Sequence, residues 1–309
     1  MIADGLHRMS ETVDPQLERL RALLSSMQSA LVCYSGGVDS ALVLAVAHQI
    51  LGQRVVGMTA VSPSLAPFEK EAAIAIATQI GARHELVDSR EIERPGYVAN
   101  APDRCFHCKS ELYDIASTKA REWTLDWVIN GTNLDDLGDH RPGLEAAKRS
   151  GVRSVLVECG FHKEDVRRCA LLVGLTIWDK PASACLSSRI PYGTAVTRER
   201  LSQIGGFEAQ LRALGLRQVR VRWHALHSAS SSGAPKDAGS GTGDARAREQ
   251  ALARVEVARS ELSRAFDQRD AIVEAGKRFG FAYVTLDLQG YRTGSHNEVI
   301  VAGKSLRVV

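Results

Sequence analysis

Ala30-Leu31-Val32-Cys33-Tyr34-Ser35-Gly36-Gly37-Val38-Asp39-Ser40-Ala41-Leu42-Val43-Leu44-Ala45-Val46-Ala47 is the stretch that decides the fold. Its first five residues are a short apolar run of strand length. Its last seven are an apolar run of helix formers. Between them lies a turn with two glycines, which allow positive φ and close backbone approach. A helix that starts straight after such a turn presents free N–H groups and the positive end of its dipole, which together suit a phosphate. The Ser35 and Ser40 hydroxyls add donors. Asp39 repels a bare phosphate, so it makes sense beside a divalent cation that bridges it to a nucleotide. The G-K-[ST] ending of a Walker A loop is missing. S-G-G alone also fits an ordinary tight strand–helix turn. The strand before it, the helix after it and the closing Asp-Ser favour phosphate.

Outward from this turn the pattern repeats. Residues 10–29 carry Leu17, Leu20, Leu23 and Leu24 at helical spacing. Strands are predicted at 55–61, 84–88 and 127–130, and helices at 69–80 and 109–122. Strands alternating with helices imply an α/β fold with a mostly parallel, doubly wound sheet. Ligands of such sheets bind beyond the carboxyl ends of the strands. Near Tyr192 the character changes. A helix over 196–214, strands at 218–223 and 254–258, a helix over 261–279 and a strand at 282–287 predict a small α+β domain. The domains are read as 1–190 and 191–309. Residues 228–246 are rich in Ser, Gly and Ala and read as a flexible excursion without a core of its own.

Composition narrows the classes. The 309 residues are 44% hydrophobic and 24% charged, which excludes wholesale disorder. A net charge of +3 gives no overall electrostatic case for a nucleic-acid partner. No apolar run reaches the roughly 18–20 residues that a membrane span needs. The first residues carry acids and lack a continuous apolar stretch, so no signal peptide is read and a cytoplasmic protein is expected. Cys33, Cys105, Cys108, Cys159, Cys169 and Cys185 are the six cysteines. In a cytosolic chain of this size they read as core thiols, metal ligands or reactive groups. Cys33 lies in a strand and reads as core. Cys105 and Cys108 form a CxxC, an arrangement that suits a soft metal or a redox pair. Arg220 and Arg222 alternate with Val219 and Val221 and share one strand face.

S-G-G-V-D-S in this setting resembles the PP-loop of the ATP pyrophosphatases. Further stretches are A-P-D-R-C-F-H-C-K at 101–109, N-G-T-N-L-D-D at 130–136 and D-H-R-P-G at 139–143. Others are W-D-K-P-A-S-A-C-L-S-S-R-I-P-Y-G at 178–193 and G-Y-R-T-G-S-H-N-E at 290–298. Together they resemble the LarE family of ATP-dependent sulfur transferases, which serve the nickel-pincer nucleotide cofactor of lactate racemase. The 228–246 excursion departs from the family pattern.

The resemblance implies a pyridinium carboxylate mononucleotide as substrate, ATP and Mg2+ as cofactors, and a homo-oligomer. It implies that a carboxylate is adenylated and then converted to a thiocarboxylate. It places ATP at Ser35, Gly36, Gly37, Val38, Asp39 and Ser40, with Thr59, Ala60, Gly131, Thr132, Asn133 and Asp136 at the nucleotide edge. Asp136 also reads as a helix cap. Cys185 takes the sulfur-donor position, in the field of Lys180 and Arg189. Two sulfur sources remain open. One is a [4Fe-4S] cluster on Cys105, Cys108 and Cys185 that carries sulfide from an external source. The other is sacrifice of the Cys185 sulfur, with the CxxC structural or zinc-binding; a redox-active CxxC is a separate third reading. Substrate contacts are expected from Arg220, Arg222, Lys109, Arg189 and Arg292, with weaker candidates at Arg141, Ser295 and Asn297. The competing functions are thiolation of tRNA, an ammonia-using synthetase and a catalytically inert nucleotide-binding protein.

Overall fold

The computed structural model describes residues 14–137, 142–181, 183–226 and 250–292, with backbone alone at 142–144. The chain divides into two compact units, Met1–Ala184 and Cys185–Val309. The excursion at 228–246, together with Arg141, Ser295 and Asn297, lies outside the described residues. Among the described residues no helix is long and apolar enough to cross a membrane.

The first unit runs α1 (Pro15–Ser25), β1 (Ala30–Cys33), α2 (Val38–Leu51), β2 (Val55–Val61), α3 (Pro67–Ile80) and β3 (Arg83–Asp88). It continues with α4 (Pro95–Val98), α5 (Arg104–Glu122), β4 (Trp127–Asn130), α6 (Pro142–Arg149), β5 (Arg153–Ser154), α7 (Val155–Glu158) and α8 (Lys163–Leu172). All five strands are parallel, in the order β3-β2-β1-β4-β5. The doubly wound α/β sheet expected from the sequence is present.

β1 is buried on both faces and its side chains alternate between two cores. Leu31 and Cys33 pack with Met58, Tyr113 and Ala116. Ala30, Val32 and Tyr34 pack with α1, α2 and Phe161 on the other side. Because both faces are covered, the strand reads as a continuous apolar run rather than an alternating one. α2 is apolar nearly all round for the same reason, since α1, α8, α3 and the sheet all contact it.

Strand order places the loops. The chain leaves β1 for β2 on one side of the sheet and returns through β4 on the other. The loops after β1 and β4 therefore meet at the point where the order reverses, where such sheets open a crevice. Cys33 is level with Met58 on β2 and with Asn130 on β4. Ser35, Thr59 and Gly131 consequently lie at the same edge.

Three local readings differ from expectation. α5 starts at Arg104, five residues before the predicted start, because polar and sulfur-bearing residues hide the helical period there. β5 is a two-residue strand, too short to leave a pattern. The helix read over 261–279 is two helices, α10 (Leu262–Asp267) and α11 (Arg269–Arg278), separated at Gln268, where ψ opens to 14°.

The second unit also holds α9 (Arg198–Ala213), β6 (Val219–Ala225), β7 (Ala251–Val257) and β8 (Tyr283–Leu286). β7 pairs antiparallel with β6 and parallel with β8. Phe207, Phe281 and Trp223 are fully buried and fill its core.

Gly131 is a position that only glycine fits. A Cβ there would lie 2.6 Å from the Ser40 nitrogen and 2.8 Å from its Cα. Backbone cannot yield as a side chain would. Gly131→Ala is therefore expected to cost at least ~2 kcal/mol in urea unfolding, with the sheet's second derivative infrared band retained.

Candidate functional site

The turn between β1 and α2 is held by its own hydroxyls. The Ser35 N–H donates to Ser40 Oγ at 3.1 Å, and the Ser40 hydroxyl donates to the Gly37 carbonyl at 3.1 Å. Gly36 has φ +72°, and a Cβ there would strike Ala73 at 2.8 Å. Both facts require glycine at this position. Gly37 is the N-cap of α2 and offers no side-chain cap, so the first-turn N–H groups face outward. Outward-facing N–H groups of this kind can receive an anion.

Asp39 lies in the first turn of α2. Its Oδ1 accepts from the Asn133 side chain at 3.0 Å, and its Oδ2 accepts from Lys163 Nζ at 2.5 Å. Asn133 also caps the turn after β4, since its Oδ1 accepts from the Asp135 N–H at 3.0 Å. The Asp136 carboxylate accepts from the Asn133 N–H at 3.2 Å and completes a capping box. The cap read for Asp136 is what its carboxylate does. Thr132 N–H donates to the Asn130 side chain at 3.0 Å.

Thr59 is buried. Its hydroxyl donates to the Tyr34 carbonyl at 2.9 Å and meets His84 Nε2 at 2.8 Å, so the side chain ties β2 into the sheet. Burial holds the His84 pKa below the ordinary histidine range, against the pull of Glu85. Lys180 donates to the Gly36 carbonyl at 3.1 Å and to Glu69 at 2.8 Å. It braces the glycine turn.

Lys163 is a site residue that the motif reading missed. A signal for it exists in the sequence. It occupies the first position of α8, where the helix dipole disfavours a cation. The residue is kept there by Asp135, which accepts from the Lys163 N–H at 2.5 Å and from His162 Nδ1 at 3.0 Å.

Cys105 and Cys108 sit one turn apart near the start of α5, so they share a face. Cys105 is exposed and Cys108 half-buried. Burial works against the Lys109 ammonium, but Tyr113 and the thiols of Cys108, Cys33 and Cys105 outweigh it and raise its pKa. The residue as a whole is exposed, while its charged end is surrounded by Tyr113 and the thiols. Burial pushes the Cys33 thiol up to about 12 despite Lys109, so it stays neutral, as a core residue should. Within the first unit no three described His, Cys, Asp or Glu side chains are arranged to hold a metal ion.

In the second unit, exposed Cys185 caps a short helical turn over Leu186–Arg189. Arg189 and Arg222 hold that turn from beneath. Arg189 pairs with Glu208 at 2.9 Å and donates to the Cys185 carbonyl at 3.1 Å. Arg222 pairs with Glu256 at 3.0 Å and donates to the Ser188 carbonyl at 2.8 Å. Both arginines are buried and already matched to a carboxylate. Arg220 differs. It lies 4.2 Å over the Tyr291 ring and donates to the Tyr291 hydroxyl at 2.7 Å, with no carboxylate salt bridge among the described residues. Burial lowers its pKa, opposed by Tyr291, and Arg189 and Arg222 lower it further. Arg292 ends the described part of this unit.

The parallel sheet and the glycine turn opening onto an uncapped helix define a PP-loop α/β protein. The chain is 34% identical over 286 residues to the pyridinium-3,5-bisthiocarboxylic acid mononucleotide synthase of Lactiplantibacillus plantarum, covering 91% of this chain and 93% of that one. It belongs to the family of that synthase, the LarE family. It is also 44% identical over 290 residues to the uncharacterized protein slr1717 of Synechocystis, covering 93% and 99% of the two chains. Identity to the uncharacterized protein MJ0830 of Methanocaldococcus jannaschii is 25% over 263 residues, or 85% and 90%. No family model matches the chain.

The arginines separate by substitution. Arg189→Met removes the close partner of the buried Glu208 carboxylate and leaves it the longer ion pair to Arg212 at 3.8 Å and the Val221 N–H at 3.0 Å. It is expected to cost about 3–5 kcal/mol. Arg220→Met strands no carboxylate and is expected to cost no more than about 1 kcal/mol. Urea unfolding of the two variants measures the difference.

Proposed function

We propose that the chain is an ATP-dependent sulfur transferase that converts a carboxylate of a pyridinium mononucleotide to a thiocarboxylate. The observation that carries this reading is the match over nine-tenths of both chains to a synthase of the bisthiocarboxylic mononucleotide. The cradle at Ser35–Ser40 supports it, because backbone N–H groups at a helix N-terminus suit the phosphates of ATP.

The chemistry needs an activated carboxyl. A substrate carboxylate oxygen attacks the α-phosphorus of ATP, the bond to the bridging oxygen breaks, and pyrophosphate leaves. The acyl adenylate carries AMP, a good leaving group. Ser35, Ser40 and the first-turn N–H groups of α2 hold the departing charge. Mg2+ bound at Asp39 would offset phosphate charge. Arg220 is the arginine with capacity left for the substrate phosphate, since a guanidinium fork matches phosphate oxygens. Arg189 and Arg222 fix the Cys185 turn, so they position the sulfur rather than bind the nucleotide.

The sulfur source follows from the thiols. Cys105, Cys108 and Cys185 have the donor chemistry of three cluster ligands, and a [4Fe-4S] group on their thiolates would leave a fourth iron open to take sulfide from an external source. Exposure of Cys185 favours a second source. Its thiolate attacks the acyl adenylate and expels AMP. Loss of the Cys185 α-proton then breaks the Cβ–S bond, leaving dehydroalanine and the thiocarboxylate.

Anaerobically purified protein with ATP and the pyridinium carboxylate mononucleotide tests the proposal. Pyrophosphate release that depends on the substrate is expected, with a thiocarboxylate product. Absence of both overturns it. Iron and acid-labile sulfide with Cys185 intact after many turnovers identifies the cluster. A loss of about 34 Da at Cys185 after one turnover identifies sacrifice. Cys185→Ala is expected to release pyrophosphate without forming thiocarboxylate.

A further inference from the structure

Lys163 poses a question that the motif residues do not answer. The side chain of Asp39 stands in the first turn of the phosphate-facing helix, yet a cation already holds it. Lys163 Nζ lies 2.5 Å from Asp39 Oδ2, with 31% of the lysine side chain and 24% of the aspartate side chain exposed. An ammonium has three N–H donors. One is engaged here, and among the described residues no other partner takes the remaining two.

The backbone under this lysine is fixed. Asp135 holds the Lys163 N–H and the His162 ring, and the Leu134 N–H donates to the Phe161 carbonyl at 2.9 Å. The start of α8 is thereby pinned to the loop after β4, the same loop whose Asn133 holds Asp39. A long, rotatable side chain on a fixed backbone can change partner without moving the fold.

We propose that Lys163 is a placeholder cation that exchanges Asp39 for nucleotide phosphate when a divalent ion arrives. Before nucleotide binds, the ammonium neutralises Asp39 and keeps its carboxylate from repelling phosphate. A divalent cation competes for that carboxylate, and the freed ammonium donates to the phosphate oxygens of the nucleotide. Lys163 then adds charge to the neutral N–H and hydroxyl donors of the cradle, beside a Lys180 ammonium already engaged by Glu69 and the Gly36 carbonyl. A charge-assisted contact of this kind is one of the stronger hydrogen bonds available. This inference rests on the proposed use of ATP, and it concerns a residue that the resemblance does not assign.

Equilibrium binding of α,β-methylene-ATP by calorimetry, in EDTA and across a Mg2+ titration, tests the exchange without turnover. Lys163→Gln is expected to weaken binding about tenfold in EDTA, because the Asp39 carboxylate then has no counter-charge and repels the phosphates. It is also expected to lower the Mg2+ concentration at half-maximal tightening by about threefold or more, since no ammonium competes for Asp39. Lys163→Arg pairs more firmly with a carboxylate and is expected to raise that Mg2+ midpoint. Urea unfolding checks that both variants fold. If Lys163→Gln does not fold, the Arg variant carries the test. A Mg2+ midpoint unchanged in both variants overturns the exchange, whatever the affinity in EDTA. A wild-type chain that binds no nucleotide overturns the ATP reading along with it. A wild-type chain that binds normally, with variants indistinguishable from it, overturns this inference alone.

Discussion

The backbone of Gly131 lies against the first turn of α2, and the first unit's site depends on that approach. With no Cβ at residue 131, the end of β4 can lie within van der Waals range of Asp39 and Ser40. Every later link in the site uses that proximity. Asn133, two residues on, reaches Asp39. Leu134 bonds to Phe161, and Asp135 bonds to His162 and Lys163. Lys163 then returns to Asp39. The result is a closed ring of contacts joining three segments distant in sequence. Closing such a ring costs chain entropy, and the ring becomes affordable because the sheet has already placed β1 and β4 side by side.

The second unit solves a similar positioning problem with charge. Arg189 and Arg222 are nearly as buried as apolar residues, and each meets a buried carboxylate. Such pairs add little net stability, because desolvation offsets attraction. Their value lies in direction. A guanidinium clamped by Glu208 or Glu256 points its remaining N–H at one carbonyl of the Cys185–Ser188 turn. The backbone beneath the exposed thiol is held by groups that cannot rotate away without stranding a charge. Arg220, on the same strand face as Arg222, meets an aromatic ring instead of a carboxylate. Two arginines that look equivalent as a V-R-V-R pattern are thereby given different work.

What could be read from the sequence follows the range of the interactions. The α/β fold was legible because β1 and α2 are apolar runs of different length with glycines between them, a local pattern. The glycine turn was legible for the same reason, since Gly36, Gly37 and Ser40 act within six residues. The start of α5 was hidden because Arg104, Cys105, His107 and Cys108 give no apolar period. Partners across long separations were not legible. Nothing near Asp39 announces Lys163, which lies 124 residues away. The one local clue is a lysine where a helix dipole disfavours it. The burial of Arg222 was equally hidden, because its Glu256 partner comes from the neighbouring strand, beyond the 228–246 excursion.

Burial sorts the six cysteines by what each sulfur can do. Cys33, Cys159 and Cys169 are buried. Loss of solvent raises all three thiol pKa values, the first and third to about 12. A thiolate is the form that attacks carbon or binds a soft metal, so these three are held out of such chemistry at neutral pH. Cys105, Cys108 and Cys185 keep access to solvent. All three lie in the motif stretches, two beside Lys109 and one above Arg189. Of the six thiols those three alone are open to solvent, and the fold makes that selection by burial.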